Sequence, residues 1–289
     1  MIHHPEVLAR FRDFIIEREA VRLRKESGAL PPWTLNPILA KYRFTNVRRM
    51  DDLVSRWLMD NWYRPHFDHP AMLPAVALAR FFNKPQTLQQ ITPYVFYKKN
   101  SMRGIEWGSI IKTVRDIKSM GLKVFNAAYI VSGGGGGADK IESVVTMFSR
   151  PLANLKLDTS NMKNTHETLC SSFGIGSFMG GQIVADLRWA MKGTWEDRYQ
   201  WAPKGPGSAR GISRILYGPD WLAQSNKMNQ GKFIEALGWL MAECTPALPT
   251  EITGRMEAMD WQNCLCELDK TERMYNGEGR PKQLYRSKA

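Results

Sequence analysis

The chain has 289 residues, of which 43% are apolar, 11% aromatic and 24% charged. This composition is too rich in apolar and aromatic residues for intrinsic disorder, and the chain is long enough to bury a sizeable core. Lys and Arg number 40 against 28 Asp and Glu, a formal net charge of +12. Such a charge favours a polyanionic partner, with a merely basic protein as the alternative.

Apolar residues recur at intervals of three and four along most of the chain, which is the period of an amphipathic helix. The first such segment, residues 6–25, ends at Ser27-Gly28. Further helices are predicted at residues 50–63, 72–83, 87–91, 105–120, 139–148, 166–171, 178–191, 208–216, 232–244 and 257–275. Residues 124–131 fit a strand or a buried helical turn equally well. The sequence therefore predicts an all-α fold.

No repeat, long low-complexity tract or shift in composition marks a domain boundary. We expect one helical domain over residues 1–289, with the helix at 5–27 as an N-terminal appendage. The glycine run 133–137 does not form a phosphate loop, because Lys140 does not stand where GxxxxGK[ST] requires it and no Ser or Thr follows. We interpret this run as a flexible connector.

Membrane, export and metal signals are absent from the sequence. No stretch reaches eighteen uncharged apolar residues, and the N-terminus carries charges where a signal peptide has its apolar run. We expect a protein of the cytoplasm with no membrane partner. The four cysteines, Cys170, Cys244, Cys264 and Cys266, follow no CxxC or cluster spacing. They predict free thiols and no metal site.

The strongest local signal is Phe173-Gly174-Ile175-Gly176 followed by Ser177, with helical patterns on both sides. Two glycines one residue apart allow a short turn to bring backbone N–H groups against an anion, and Gly180 allows the helices to pack closely. This pattern predicts a helix-hairpin-helix at about residues 166–191 that binds a DNA phosphate. An ordinary glycine-rich helix joint is the alternative.

Asp186 lies in an apolar helical stretch a few turns later. Desolvation there would make its carboxylate a stronger base, which suits a catalytic residue. The alternative is a structural aspartate that caps a helix or pairs with an arginine.

A second glycine-rich segment, residues 203–211, reads PKGPGSARG. Ser208 can cap the helix that follows, while Lys204, Arg210 and Arg214 concentrate positive charge around its N-terminal half. Such a turn suits a phosphate or a pyrophosphate.

The order of these features resembles the alpha-glutamyl/putrescinyl thymine pyrophosphorylase family, the amino acid:DNA transferases of thymine hypermodification in bacteriophages. Residues 42–48 (YRFTNVR), 125–129 (FNAAY) and 260–270 (DWQNCLCELDK), the last leading to GEGRP, support the resemblance. The match extends from about residue 36 to the C-terminus. Ser172-Phe173 departs from the Leu-Pro that commonly precedes the first hairpin glycine. Phe178 stands where lyase-type glycosylases carry a nucleophilic Lys, which argues against base excision.

The resemblance implies a fold related to helix-hairpin-helix DNA glycosylases. It implies a reaction on double-stranded DNA that carries 5-hydroxymethyluracil activated as its pyrophosphate ester. The amine of a free amino acid, such as glycine or serine, would displace pyrophosphate at the C5 methylene. No cofactor is required, and Mg²⁺ can enter with the pyrophosphate without dedicated protein ligands. The setting is the cytoplasm of the phage's host.

The resemblance also suggests the roles of individual residues. Asp186 and Glu267 are the expected catalytic carboxylates, because the attacking amine must lose a proton. The residues expected to bind pyrophosphate or substrate are Arg43, Asn46, Arg48, Lys204, Arg210, Lys270 and Arg280. Those expected to bind DNA are Gly174, Gly176, Ser177, Gly205 and Gly207. Plainer interpretations remain: a solvated basic face or DNA-phosphate contacts for the arginines, and helix-surface pairs for Glu267, Asp269 and Lys270.

Two other functions are compatible with the sequence. One is a monofunctional DNA glycosylase of the same fold, which needs only an aspartate. The other is a non-catalytic DNA-binding module that uses the hairpin alone. The PxGPGSxRG and CELDK segments exceed what such a module requires.

Overall fold

The computed structural model describes residues 3–97, 104–126, 139–279 and Leu284. None of these residues lies in a β-strand, and β-pairing among them is limited to an isolated bridge between Tyr42 and Leu284. The predicted all-α fold is confirmed. Of the possible strand at 124–131, residues 124–126 are not in a strand and the others lie outside the described residues. No helix in the described part of the chain is long and apolar enough to cross a membrane.

Each predicted helical segment overlaps an observed helix. The helices are α1 (Pro5–Glu26), α2 (Pro37–Lys41), α3 (Leu53–Leu58), α4 (Met72–Phe82), α5 (Pro85–Val95), α6 (Trp107–Ser119), α7 (Lys140–Glu142), α8 (Met162–Cys170), α9 (Ser177–Ala190), α10 (Pro206–Tyr217), α11 (Trp221–Asn226), α12 (Gln230–Cys244), α13 (Thr250–Thr253) and α14 (Ala258–Tyr275). Two π-helical segments, Met59–Tyr63 and Ser143–Ser149, continue α3 and α7.

The chain divides into two compact units. The terminal unit contains Met1–Asp52 and Arg198–Ala289, and the central unit contains Leu53–Asp197. The single domain over residues 1–289 stays a prediction.

The terminal unit is built around α1, α10, α12 and α14. Phe11 and Ile15 of α1 are completely buried, and Arg10 of the same helix donates two hydrogen bonds to Glu272 of α14 at 2.9 and 2.8 Å. The helix expected as an appendage therefore contributes to the core of this unit. Its N-terminus is also fixed, because the His4 N–H donates to the carbonyl of Ile215 in α10.

Helices α10 and α14 approach each other closely because α10 carries glycines on the facing side. A Cβ at Gly211 would lie 2.1 Å from the carbonyl oxygen of Leu265, and a Cβ at Gly207 would lie 3.3 Å from Cys266 Sγ. Spaced four residues apart, these glycines lie on one face of the helix. The α14 backbone occupies the space that a side chain at Gly211 would need.

Helix α4 forms the core of the central unit. All of its residues are buried, including Arg80, the one charged residue in the sequence MLPAVALARFF. A helix that is apolar on every side is stable only when other elements cover it, and here α5, α9 and Ser143–Ser149 pack against it. Asn83 ends the helix in the left-handed conformation, with φ of 47°.

Replacing Gly211 by Ala should destabilise the protein by about 1–3 kcal/mol or more, because the added methyl group overlaps the α14 backbone. Gly238→Ala is the matched control. Gly238 lies inside α12 with no atom within 4 Å of its Cβ position, so Ala should stabilise the helix by about 0.4–1 kcal/mol. Urea denaturation of both variants measures the difference. Equal stabilities would contradict the close α10–α14 contact.

Candidate functional site

In the central unit, α8 and α9 are joined by a short turn over residues 171–176. Gly174 has a φ of +77°, and a Cβ there would lie 2.0 Å from the Phe148 ring, so glycine is required for both conformation and space. The Ile175 side chain is buried beneath the turn. Gly176 precedes α9 in an extended conformation, and nothing lies within 4 Å of its Cβ position. The outer side of the turn at Gly176 is therefore open.

The two helices flanking this turn are in close contact. A Cβ at Gly180 would lie 2.9 Å from Cys170 Sγ, which confirms the role of Gly180 in helix packing. His166 Nε2 lies 3.0 Å from the carbonyl oxygen of Ser177 and ties α8 to the start of α9. Burial lowers the pKa of His166 below its usual value. A neutral imidazole at this position donates one N–H to the carbonyl.

The N-termini of these helices differ in how their N–H groups are satisfied. At α8, the Asp197 carboxylate accepts hydrogen bonds from the N–H groups of Met162 and Lys163 at 2.6 and 3.0 Å, and Asn161 caps Asn164. At α9, Gly176 offers no side-chain cap. A helix N-terminus carries a partial positive charge, so the start of α9 is the end of this helix that favours an anion.

Asp186 of α9 is completely buried and bound by two side chains. Arg80 donates from Nε to Oδ2 at 2.5 Å and from Nη2 to Oδ1 at 2.6 Å. The Tyr63 hydroxyl donates to Oδ2 as well. Arg80 is 3% and Tyr63 1% exposed. This geometry is that of an arginine-paired structural aspartate, the second of the two interpretations drawn from the sequence.

In the terminal unit, the PKGPGSARG turn is held from within. Ser208, which is fully buried, caps α10 by accepting from the Gly205 N–H at 3.0 Å, and it also accepts from Gln262 Nε2 at 3.2 Å. The Lys204 N–H donates to Gln230 Oε1 at 2.8 Å. Gly205 and Gly207, expected at DNA, pack against α14, since Cβ atoms there would meet Gln262 and Cys266. Their contact with DNA stays a prediction.

The cationic side chains near this turn differ in the contacts that they make within the protein. Arg210 Nε donates to the buried carboxylate of Asp269 at 2.8 Å. The side chain of Lys204 is half-buried, and its ammonium group makes no ion pair within the described part of the chain. Arg280 lies outside the described residues.

Two of the residues expected to bind pyrophosphate already use their polar groups within the protein. Arg48 is buried and donates to Asp51 at 2.7 Å and to Glu19 at 3.3 Å. Asn46 donates from its side chain to the Asp51 carbonyl at 2.8 Å. Both residues hold the segment before α3 in place.

Glu267 and Lys270 form the pair that the sequence allows on α14. Their side chains are 12% and 19% exposed, and the ammonium nitrogen lies 3.1 Å from Glu267 Oε2. The same ammonium donates to the Arg43 carbonyl at 2.6 Å and lies 4.4 Å from the centre of the Phe44 ring. The side chain of Arg43 is exposed. The structure thus brings Arg43, Glu267 and Lys270 together.

Sequence reasoning missed Tyr63 and Arg80, the buried partners of Asp186. Arg80 carried a detectable signal, since a lone charge in an otherwise apolar helix must find a counter-charge when buried. Tyr63 carried none. Asp269 was expected in a helix-surface pair, but it is 1% exposed and pairs with Arg210 and Arg214. No cluster of three or more His, Cys, Asp or Glu side chains suited to a metal occurs among the described residues. The four cysteines are free thiols, and burial raises the pKa of Cys264 to about 11.

Asp186→Asn should destabilise the protein by about 3–5 kcal/mol, because Asn keeps the side-chain volume but leaves the buried Arg80 guanidinium without a counter-charge. The control is Asp60→Asn, which removes an exposed pair with Arg64 and should change stability little. Chemical denaturation of both variants gives the difference. If Asp186→Asn were as stable as the native protein, the structural role would be excluded and a catalytic one favoured.

Comparison with known protein sequences identifies a matching family. The family model described as "5-hmdU DNA kinase, helical domain" matches residues 5–280. The 5-hmdU DNA kinase of Bacillus phage SP10 is 25% identical over an alignment of 226 residues, and the match covers 70% of this chain and 35% of that protein. The chain therefore spans about a third of the length of this relative. No solved structure matches it. Because the family model covers nearly all of its residues, the chain belongs to the family of 5-hmdU DNA kinase helical domains.

Proposed function

We propose that the protein is a DNA-modifying transferase. Its substrate is double-stranded DNA that carries 5-(pyrophosphoryloxymethyl)uracil, and its second substrate is a free amino acid such as glycine or serine. The amine nitrogen forms a bond to the C5 methylene as the bond from that carbon to the pyrophosphate oxygen breaks. Pyrophosphate leaves, and the amine gives up a proton. The product is a hypermodified thymine, made in the cytoplasm of an infected host.

The observation that carries the proposal is the extent of the family match. Residues 5–280 match a helical domain named for 5-hmdU DNA, yet no GxxxxGK[ST] motif occurs in the 289 residues. The chain also corresponds to only 35% of the SP10 kinase. A helical portion that lacks this phosphate-binding loop favours a reaction on the modified base over the transfer of a phosphate from a nucleotide. The resemblance to the thymine pyrophosphorylase family supplies that chemistry.

DNA binding is assigned to the turn between α8 and α9. The open side at Gly176 lets a phosphate approach the backbone at the N-terminus of α9, which favours an anion. Ser177, the first residue of α9, lies at this position. The net charge of +12 supports duplex binding because Lys and Arg displace counterions from DNA. The modified base must then leave the stack to expose its C5 substituent.

The predicted carboxylates now take different roles. We assign Glu267 as the base that accepts the amine's proton. Its carboxylate retains some exposure and already accepts a hydrogen bond from Lys270. Asp186 is assigned a structural role, since Arg80 and Tyr63 occupy its oxygens. Lys204, Arg210, Arg43 and Arg280 remain the proposed cations for the leaving pyrophosphate. Mg²⁺ is proposed only as a companion of pyrophosphate.

One alternative has specific support. The SP10 relative is named a kinase and is about three times as long as the matched region. The helical domain would then present 5-hmdU DNA to a kinase domain elsewhere, without chemistry of its own. The glycosylase interpretation is weaker, because Asp186, the aspartate it requires, is buried in an ion pair.

Nucleoside mass spectrometry separates these functions. DNA containing the pyrophosphate ester is incubated with the protein and a mixture of amino acids, then digested to nucleosides. The proposed transfer predicts a nucleoside whose mass corresponds to 5-hydroxymethyl-2′-deoxyuridine condensed with an amino acid. An abasic product would support the glycosylase, and unchanged nucleosides would support the DNA-presenting module. Glu267→Gln should slow the transfer by about 10²–10⁴-fold if the carboxylate accepts the proton.

Gly176→Val should weaken binding to duplex DNA without unfolding the protein. The valine side chain has space, but it projects from the open side of the turn where a phosphate would approach. Gly104→Val serves as the control, because Gly104 also has nothing within 4 Å of its Cβ position and lies outside the turn. Fluorescence anisotropy at low and physiological salt measures both affinities. Equal affinity of the two variants would place DNA binding elsewhere.

A further inference from the structure

Asp269 of α14 is a buried carboxylate surrounded by arginines. It is 1% exposed, and one of its oxygens, Oδ2, lies 2.8 Å from Arg210 Nε and 3.4 Å from Arg273 Nε. The other oxygen, Oδ1, lies 3.1 Å from Arg214 Nε. A single carboxylate balances the charge of one guanidinium group. Three guanidinium groups thus converge on one negative charge.

The three arginines differ in the donors that remain to them. Arg214 is 3% exposed, donates its other nitrogens to Glu278 at 3.2 and 2.5 Å, and lies 3.7 Å from the centre of the Trp221 ring. The side chains of Arg210 and Arg273 are 32% and 39% exposed. Among the described residues, their Nη groups make no hydrogen bond. Arg214 is therefore internal, while the other two retain accessible donors.

The neighbouring carboxylates do not supply the missing charge. Glu278 is bonded by Arg214, and these hydrogen bonds lower its pKa below the usual value. Glu272 is bonded by Arg10 at 2.9 and 2.8 Å. Arg210 and Arg273 share the same carboxylate oxygen, so their charges are held close together. An anion with several oxygens would relieve this repulsion and could bind the Nη edges of both side chains.

We propose that Arg210 and Arg273 form a binding site for a phosphoryl anion, with Asp269 as the positioning residue that hydrogen-bonds Arg210 and forms a longer ion pair with Arg273. Two adjacent guanidinium forks match linked phosphoryl groups, so we assign inorganic pyrophosphate as the ligand. That this anion is the leaving group of the reaction rests on the proposed function; the binding itself does not. A phosphate of the DNA backbone has the same chemistry, and the experiment below distinguishes it from pyrophosphate.

Calorimetric titration of the full chain with inorganic pyrophosphate tests the site. Arg210→Gln and Arg273→Gln should each weaken binding by about tenfold or more, because each removes charge-assisted hydrogen bonds. Arg255→Gln is the control for net charge, since Arg255 is exposed in the same unit and makes no ion pair in the described part of the chain. It should bind within about twofold of the native protein.

Asp269→Asn tests the positioning role by weakening pyrophosphate binding while both arginines remain. This variant removes a buried charge, so thermal unfolding must first show that it folds. Arg273→Gln keeps the proposal testable if it does not, because Asp269 retains its bonds to Arg210 and Arg214. Native affinity for pyrophosphate in both Arg210→Gln and Arg273→Gln would overturn the site.

Three further outcomes are decisive. If the arginine variants lose affinity for unmodified DNA but bind pyrophosphate normally, the residues contact the DNA backbone and the proposal is wrong. If pyrophosphate binding behaves as predicted but no DNA is modified, the site stands and the transferase function fails. Modified DNA together with normal pyrophosphate binding by both variants supports the function and rejects the site.

Discussion

The close approach of α14 to the backbone of α10 is the contact on which the terminal unit depends. Gly211 leaves no room for a side chain against Leu265, and Gly207 faces Cys266 in the same way. This spacing brings Asp269 within hydrogen-bonding distance of Arg210 and Arg214, which are also four residues apart on α10. The glycines and arginines of the PGSARGISR sequence therefore all take part in the contact between α10 and α14. Packing explains the glycines, and the buried carboxylate explains the arginine spacing.

Both units use a buried carboxylate on a long helix to bind guanidinium groups, but with different balances of charge. In the central unit, Asp186 and Arg80 form a closed pair with both partners almost inaccessible to solvent. Breaking such a pair is costly, because the remaining charge stays buried. In the terminal unit, Asp269 faces three arginines, two of them partly exposed. The first arrangement stabilises the fold, whereas the second leaves positive charge available to a ligand.

The helices could be predicted from the sequence because their apolar residues recur with the helical period over several turns. Helices α2, α11 and α13 were missed since they are too short to show a period. The segment predicted as one helix at 50–63 is interrupted at Asp52 and ends in a π-helical turn, Met59–Tyr63, which the apolar pattern does not distinguish from an α-helix.

The site was less predictable because its geometry comes from distant contacts. The apolar neighbours of Asp186 show that it is buried, but its partner Arg80 is 106 residues away in the sequence. Arg48 also has a distant partner, Glu19 in α1, whereas Asn46 and Arg48 share a local partner in Asp51. The Gly174 turn was easier to identify, because a positive φ and a close ring contact both select glycine. A backbone conformation that requires glycine can be recognised in the local sequence, whereas an ion pair between distant residues cannot.

We propose that this helical domain modifies an activated base without using a nucleotide. The release of inorganic pyrophosphate from DNA containing 5-(pyrophosphoryloxymethyl)uracil, followed with and without an amino acid and with no nucleotide present, tests this directly. Pyrophosphate release should require the amino acid and equal the amount of base modified. No release under these conditions, with ADP formed instead from ATP on DNA containing 5-hydroxymethyluracil, would contradict it.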